Sequence, residues 1–235
     1  MFAIFKREIK GYFTGVMGYV FLVMYLAVAG IAFCATTLFA MSSNVTTYFT
    51  IMMLLSAIML PILTMKSFSE EKKGKTEQLL LTSPVSITAM VMGKFFASYA
   101  IFAVATLFTT LYFLLLLPYA VLNVALLLGN MIALLMVGLV FIAIGIFVSS
   151  LTENQLSAAV GSIGIILALL IVGIIGMLLP KNYWLRFVFD AVSIFTRFQS
   201  FTNGYFDVAS IVYYFSACAV FIYLTIRVFD RRRYN

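Results

Sequence analysis

Between two long apolar segments the chain reads MKSFSEEKKGKTEQLLLTSPVSITAMVMGK, from Met65 to Lys94. Five of the chain's 15 basic residues stand here (Lys66, Lys72, Lys73, Lys75 and Lys94), together with Glu70, Glu71 and Glu77. A stretch this short cannot bury a core of its own, so its charges must meet water, lipid headgroups or another protein. It reads as a polar docking segment set between membrane spans.

The composition around it agrees. Of 235 residues 64% are hydrophobic and 10% charged, and the mean hydropathy is +1.14, more apolar surface than a water-soluble globule can hide. Membrane-crossing strands alternate apolar and polar residues over about ten positions, whereas these runs are apolar on all sides for about twenty. The expected fold is an all-α membrane protein, a single domain over residues 1–235 with six transmembrane helices.

The spans are expected near residues 17–40, 48–64, 91–117, 121–148, 154–179 and 206–228. Ahead of them, Phe2, Phe5, Ile9, Tyr12 and Phe13 share a helical face beside Lys6, Arg7 and Lys10, the pattern of a helix over 1–14 lying in the interface. The links 42–47 and 118–120 are short turns. Pro61 falls near the end of the second span, where it removes a helical hydrogen bond and bends the helix into the island. In SSLTENQ (Ser149 to Gln155), Thr152 and Gln155 have capping-box spacing and Glu153 sits at the positive end of the fifth span. Residues 181–205 are rich in aromatic side chains but interrupted by Arg186, Asp190 and Arg197, so they fit short re-entrant or interfacial helices better than a crossing.

The formal charge of +7 is distributed by topology. With an inside N-terminus, Lys6, Arg7, Lys10, the five island lysines, Arg227, Arg231, Arg232 and Arg233 share one side, against Lys181, Arg186 and Arg197 on the other. That bias puts both termini and the island in the cytoplasm and makes nucleic acid an unnecessary partner. Cys34 and Cys218 lie inside apolar runs, where a small hydrophobe is the ordinary reading. The basic start has no cleavage site after a short apolar run, so the first span is expected to stay as an anchor.

Several chemistries lack their residues. The sequence has no His, no carboxylate cluster and no Cys pair at ligand spacing, which leaves little for a metal site or a hydrolase triad. Lys73 to Thr76 reads KGKT, but Ser69 stands where a phosphate-binding loop needs its first Gly. No acid lies deep in a span, and Lys94 is expected to snorkel from a span end. An enzyme acting alone is thereby set aside, and work done on a solute would have to come from a polypeptide docked at the basic face.

The pattern Phe68, Glu71, Gly74, Thr76, Glu77, Leu79, Leu80 and Pro84, followed by Gly93 and Lys94, resembles the cytoplasmic loop of type-2 ABC exporter permeases, and within them the gliding-motility-type permeases. SSLTENQ and the run FQSFTNGYFD (Phe198 to Asp207) with Tyr213 and Tyr214 resemble the same group. Lys75 is a departure, inserted where that pattern runs from Gly directly to Thr. The resemblance implies a bacterial or archaeal cytoplasmic-membrane subunit with a coupling helix within 67–84 and re-entrant helices within 181–205. It implies two ABC ATPase subunits, which use the ATP and Mg while this chain binds no cofactor. A second permease copy or close paralogue is implied as well, and an auxiliary extracytoplasmic subunit is compatible with it.

The residues then expected to couple to the ATPase are Phe68, Glu70, Glu71, Lys72, Lys73, Gly74, Thr76 and Glu77, with Glu70 and Glu77 on one helical face. Ser157, Gly161 and Gly164 are small residues three and four apart, suited to close helix packing inside the subunit or between subunits. Spans lined by Thr, Ser, Met and Phe suit a lipid-like or hydrophobic peptide cargo. The competing readings are a membrane scaffold that binds a partner at the same island without transport, and a homomeric ion channel, which lacks a ring of carboxylates.

Overall fold

The structure, a computed structural model, describes residues 1–40, 45–75, 86–116, 123–178, 189–190, 192–202, 204 and 207–234. Among them the main elements are helical: α1 (Phe2–Thr14), α2 (Val16–Phe33, extended by a π-helical turn at Cys34–Leu38), α3 (Val45–Thr64), α4 (Lys66–Lys73), α5 (Ile87–Thr110, continued by a 3-10 turn at Leu111–Leu116), α6 (Val124–Leu151), α7 (Gln155–Leu178), α8 (Ile194–Thr202) and α9 (Val208–Tyr234). Six of these stretches, built on α2, α3, α5, α6, α7 and α9, are long and apolar enough to cross a membrane. They match the expected spans to within about four residues, except that the second runs on to Lys73 where 64 was expected.

The bundle is organised around α6. It carries no charged residue over its 28 positions and is buried over most of its length, with α3, α5, α7, α8 and α9 packed around it. By contrast α2, α7 and α9 turn large apolar side chains outward, among them Val23, Ile31, Val160, Ile171, Val212 and Phe215, which is the expected face toward lipid hydrocarbon. Helices in such a medium associate by close packing rather than by hydrophobic drive. Gly145 of α6 shows how close: a Cβ there would stand 2.0 Å from Thr64 Oγ1 of α3. Thr64 is stiff at χ1 and its hydroxyl already donates to Leu60 O at 3.0 Å. Gly145→Ala is therefore expected to lower stability by about 1–3 kcal/mol through overpacking. Thermal melts should show Gly145→Ala/Thr64→Ala regaining most of the loss, and equal melts for wild type and Gly145→Ala would contradict the packing.

The structure departs from the expectations at two points and extends them at a third. The island helix is a continuation of the second span: Met65, between α3 and α4, keeps helical backbone angles and donates its N–H to Pro61 O at 2.8 Å. The Thr152/Gln155 capping box does not form. Thr152 instead closes α6 in extended conformation, and the Asn154 side chain caps α7 by accepting the Leu156 N–H at 3.0 Å, because Asn154 stands one residue before the helix and needs no reciprocal partner. Lys94 does not snorkel, as described below. Residues 42–44, Pro118 and 181–188 lie outside the described residues, as do Thr76, Glu77, Leu79, Leu80 and Pro84 of the island.

The two ends of the bundle differ in kind. At one, the amphipathic α8 buries Ile194, Phe198 and Phe201 against α6 and α7. Two adjacent tyrosines of α9 hold it there, Tyr214 donating to Ile194 O at 3.0 Å and Tyr213 to Val192 O at 2.5 Å. Asp207 opens α9, accepting from the Ser210 hydroxyl at 2.8 Å and the Ala209 N–H at 3.0 Å, bonds that hold its carboxyl below the ordinary aspartate range. The two tyrosines of the YY motif thus hold the start of α8. At the other end lie α1, α4, the start of α5, the end of α6 and the end of α9, which brings both chain termini to the end that carries the island.

Candidate coupling site

The chemistry-bearing residues of the island gather on α4. An eight-residue helix is marginal alone, and the residue at its N-cap, Met65, has no side chain to cap it. The cap comes from another span. Ser149 Oγ, near the end of α6, accepts the Phe68 N–H at 3.1 Å and the Ser69 N–H at 3.2 Å and donates to Met65 O at 3.0 Å. One buried hydroxyl thus satisfies two orphan donors of α4 and a carbonyl at its start.

The same helix is tied on its inner face. Phe68 is buried against Phe229 of α9, their ring centroids 4.6 Å apart, and the Lys94 ammonium lies over the Phe68 ring at 5.1 Å. Lys94, only 3% exposed, pairs with Glu71 Oε1 at 2.8 Å and with Glu8 Oε1 of α1 at 3.1 Å. Arg7 approaches Glu8 at 3.3 Å and Glu71 at 3.6 Å from the exposed side. Two cations and two carboxylates from α1, α4 and α5 therefore meet at one joint. Its geometry depends on Gly93, where a Cβ would fall 2.9 Å from Ile4 Cγ2, so α1 can lie directly on α5.

The end of α6 contributes its unpaired carbonyls. Arg232 donates to Ser150 O at 2.8 Å while lying over the Phe229 ring, and Lys72 donates to Leu151 O at 3.5 Å and pairs with Glu153 at 3.3 Å. Cations at a helix C-terminus are favoured by the exposed carbonyls and the macrodipole. Glu153, exposed by 68%, adds little through its surface pair.

The predicted coupling residues accordingly divide. Phe68 and Glu71 point inward and tie α4 to the bundle, and Lys72 is half-buried on the end of α6, whereas Glu70, Lys73 and Gly74 face outward. Lys75, the departure from the resemblance, takes a left-handed conformation (φ 55°) directly after Gly74 and turns the chain off the helix. The small-residue set divides too: a Cβ on Gly161 would meet Val148 Cγ1 at 3.1 Å inside the subunit, while Ser157 and Gly164 are exposed and Gly164 has open space around it. Sequence reasoning missed Ser149, Glu8, Arg7, Phe229 and Arg232. The available signal was an acid within a basic interfacial helix and a lysine just inside a span, which can satisfy each other once buried.

A six-span bundle with a capped, charged helix at the end carrying both termini matches one family over almost its whole length: the family described as ABC-2 family transporter protein, over residues 2–233. The chain belongs to the ABC-2 transporter family. No protein of curated function matches the chain. It is a multi-pass membrane protein and the permease subunit of an ABC transporter, and its family works with ABC ATPase partners. The likeness of its motifs to gliding-motility-type permeases stays a resemblance within that family.

Proposed function

We propose that this permease is the membrane-spanning half of an exporter, driven by two separate ATPase subunits that dock against the outward face of α4, with a second permease copy completing the translocation path. The observation that carries the reading is the attachment of α4 on three sides, to α6 through Ser149, to α5 and α1 through Lys94, and to α9 through Phe68. A helix held this way cannot be pushed without moving the ends of spans three and four. Closure of the ATPase pair would bias a two-state permease through that contact, since work is transmitted only where a contact differs between the states. Lys73 and Lys75 are the partner-facing charges, and Glu70 lines a cleft beside α1. Glu71 acts through Lys94, as a positioning residue. Thr76 and Glu77 belong to the same docking segment by sequence.

The test is charge reversal at Lys73 and Lys75 in the reconstituted complex. Lys73→Glu/Lys75→Glu is expected to leave the permease folded while permease-stimulated ATP turnover falls about tenfold or more, the size of a lost interface charge contact. Undiminished turnover in an intact complex would remove these lysines from the docking face. A complex that assembles and never stimulates turnover in the wild type would favour the scaffold.

Orientation is tested separately. In a Cys34→Ala/Cys218→Ala background, Lys73→Cys stands at the α4 end and Ala125→Cys at the other, both exposed. A membrane-impermeant thiol reagent on intact cells is expected to label the position at 125 and spare the one at 73, because the basic end faces the cytoplasm. The reverse pattern would invert the topology. For the second copy, Gly164→Leu is expected to weaken permease pairing without unfolding the subunit, whereas Gly161→Leu disturbs the contact with Val148 inside it. Unchanged pairing by crosslinking would move the interface off α7.

A further inference from the structure

A cleft of about 550 Å³ opens between α1, the first turns of α2 and α4. Glu8 lines it from α1, Lys66, Ser67 and Glu70 from α4, and Val16 and Val20 from α2. Val16 and Val20 are 74% and 43% exposed at the start of the first span, so the apolar wall runs outward along a lipid-facing helix. The opposite wall is charged.

Two observations mark it as a built site. The first is Ser67, 5% exposed, whose hydroxyl makes no close hydrogen bond and has the Tyr12 hydroxyl as a loose neighbour. A buried helical serine ordinarily donates to the carbonyl four residues back, but Leu63 O accepts from the Tyr12 hydroxyl at 3.4 Å, and that hydroxyl is shared with Ser98 at 3.0 Å. A buried hydroxyl left without a close partner at the wall of a cleft calls for one inside it. The second is the state of the charges. Glu71 and Lys94 answer each other within the joint, whereas Lys66 and Glu70, one helical turn apart, make no ion pair among the described residues. The cleft therefore offers an uncommitted cation and an uncommitted carboxylate, with Glu8, already paired with Lys94 and Arg7, alongside.

We propose that this cleft binds the headgroup of a phospholipid bearing a primary amine, its ammonium on Glu70 and Glu8, its phosphate on Lys66 and the Ser67 hydroxyl, and its acyl chains leaving along Val16 and Val20. A primary ammonium has three N–H donors for the carboxylates. A choline headgroup carries the same charge without a donor, and a glycerol headgroup brings no cation to Glu70, the acid of this wall that Lys94 and Arg7 do not pair with. The apolar wall and the position of α1 in the interface select a lipid over a soluble phosphate ester.

The probes are phosphatidylethanolamine, phosphatidylcholine and phosphatidylglycerol, each with a photoreactive acyl chain, added as minor components to phosphatidylcholine nanodiscs holding the full-length chain. Phosphatidylethanolamine is expected to label the peptides around Val16 and Val20 about tenfold more than the other two. Lys66→Gln/Glu70→Gln should bring its labelling down to theirs. Ser67→Ala, which removes only a hydroxyl without a close partner, should leave the melting temperature unchanged and still reduce labelling by several-fold. Equal labelling by the three lipids, or labelling indifferent to both variants, would overturn the proposal. So would equal competition by water-soluble phosphoethanolamine, since the acyl wall would then contribute nothing.

Discussion

Lys94→Met should lower the stability of the permease by about 3–5 kcal/mol and abolish permease-stimulated ATP turnover in the complex, the largest effect expected from any single substitution at the joint. Methionine fills nearly the same volume, so packing is little changed. What is lost is the ammonium that stands 2.8 Å from Glu71 and 3.1 Å from Glu8. Both carboxylates would then lean on Arg7, which reaches them at 3.6 and 3.3 Å from a side chain 58% exposed. Removing one partner of a buried ionic set leaves uncompensated charge, whereas neutralising the whole set leaves none. Lys94→Met/Glu8→Gln/Glu71→Gln is thus expected to regain most of the lost melting temperature. It should not regain coupling, because nothing then ties α4 to α1 and α5 by charge. A single variant with the wild-type melting temperature would show that the ammonium is not needed where it stands, and a triple variant with full turnover would make the joint structural only.

Ser149→Ala is expected to have the second-largest effect. Its hydroxyl makes three hydrogen bonds to α4 and Met65, and truncation strands two backbone N–H groups at a buried helix start, while Met65 O keeps the Ser69 hydroxyl as donor. Leaving such groups unsatisfied costs about 1–3 kcal/mol, and the lost cap alone about 1 kcal/mol. The loss falls on one eight-residue helix, so it should be local. Hydrogen exchange should quicken at Phe68 and Ser69 while the amides of α6 stay protected, and coupled turnover should fall with it. Ser149→Thr keeps the oxygen and is the expected rescue. Unaltered exchange at Phe68 and Ser69 in Ser149→Ala would exclude Ser149 as the cap.

Much of this was legible in the chain because hydrocarbon is a severe solvent. A span must be long, apolar on all faces and uncharged, and α6 meets each condition so fully that its bounds lie within three residues of those expected. The amphipathic face of α1 was equally plain. The joint was not. Lys94 finds Glu71 23 residues back and Glu8 86 residues back, separations at which no local period connects them, so a lone lysine near a span end could only be assigned its default, the snorkel. SSLTENQ misled for a related reason. Its polar residues suited the start of α7, and the capping box is a local pattern, but Ser149 spends its hydroxyl on a helix 80 residues earlier. The small residues of α7 were ambiguous in principle, because the same spacing serves a neighbour in the chain and one outside it. Only the three-dimensional arrangement separates Gly161 from Gly164.

The borrowed cap on α4 also orders events at the ribosome. Synthesis runs from the N-terminus, and when Lys73 leaves the tunnel the hydroxyl that will complete α4 has not been made. Though it continues the second span, α4 gains its cap only after the fourth span has been made and has brought Ser149 to it. On the docking proposed above, an ATPase would meet a capped α4 only in a chain whose fourth span is already in place.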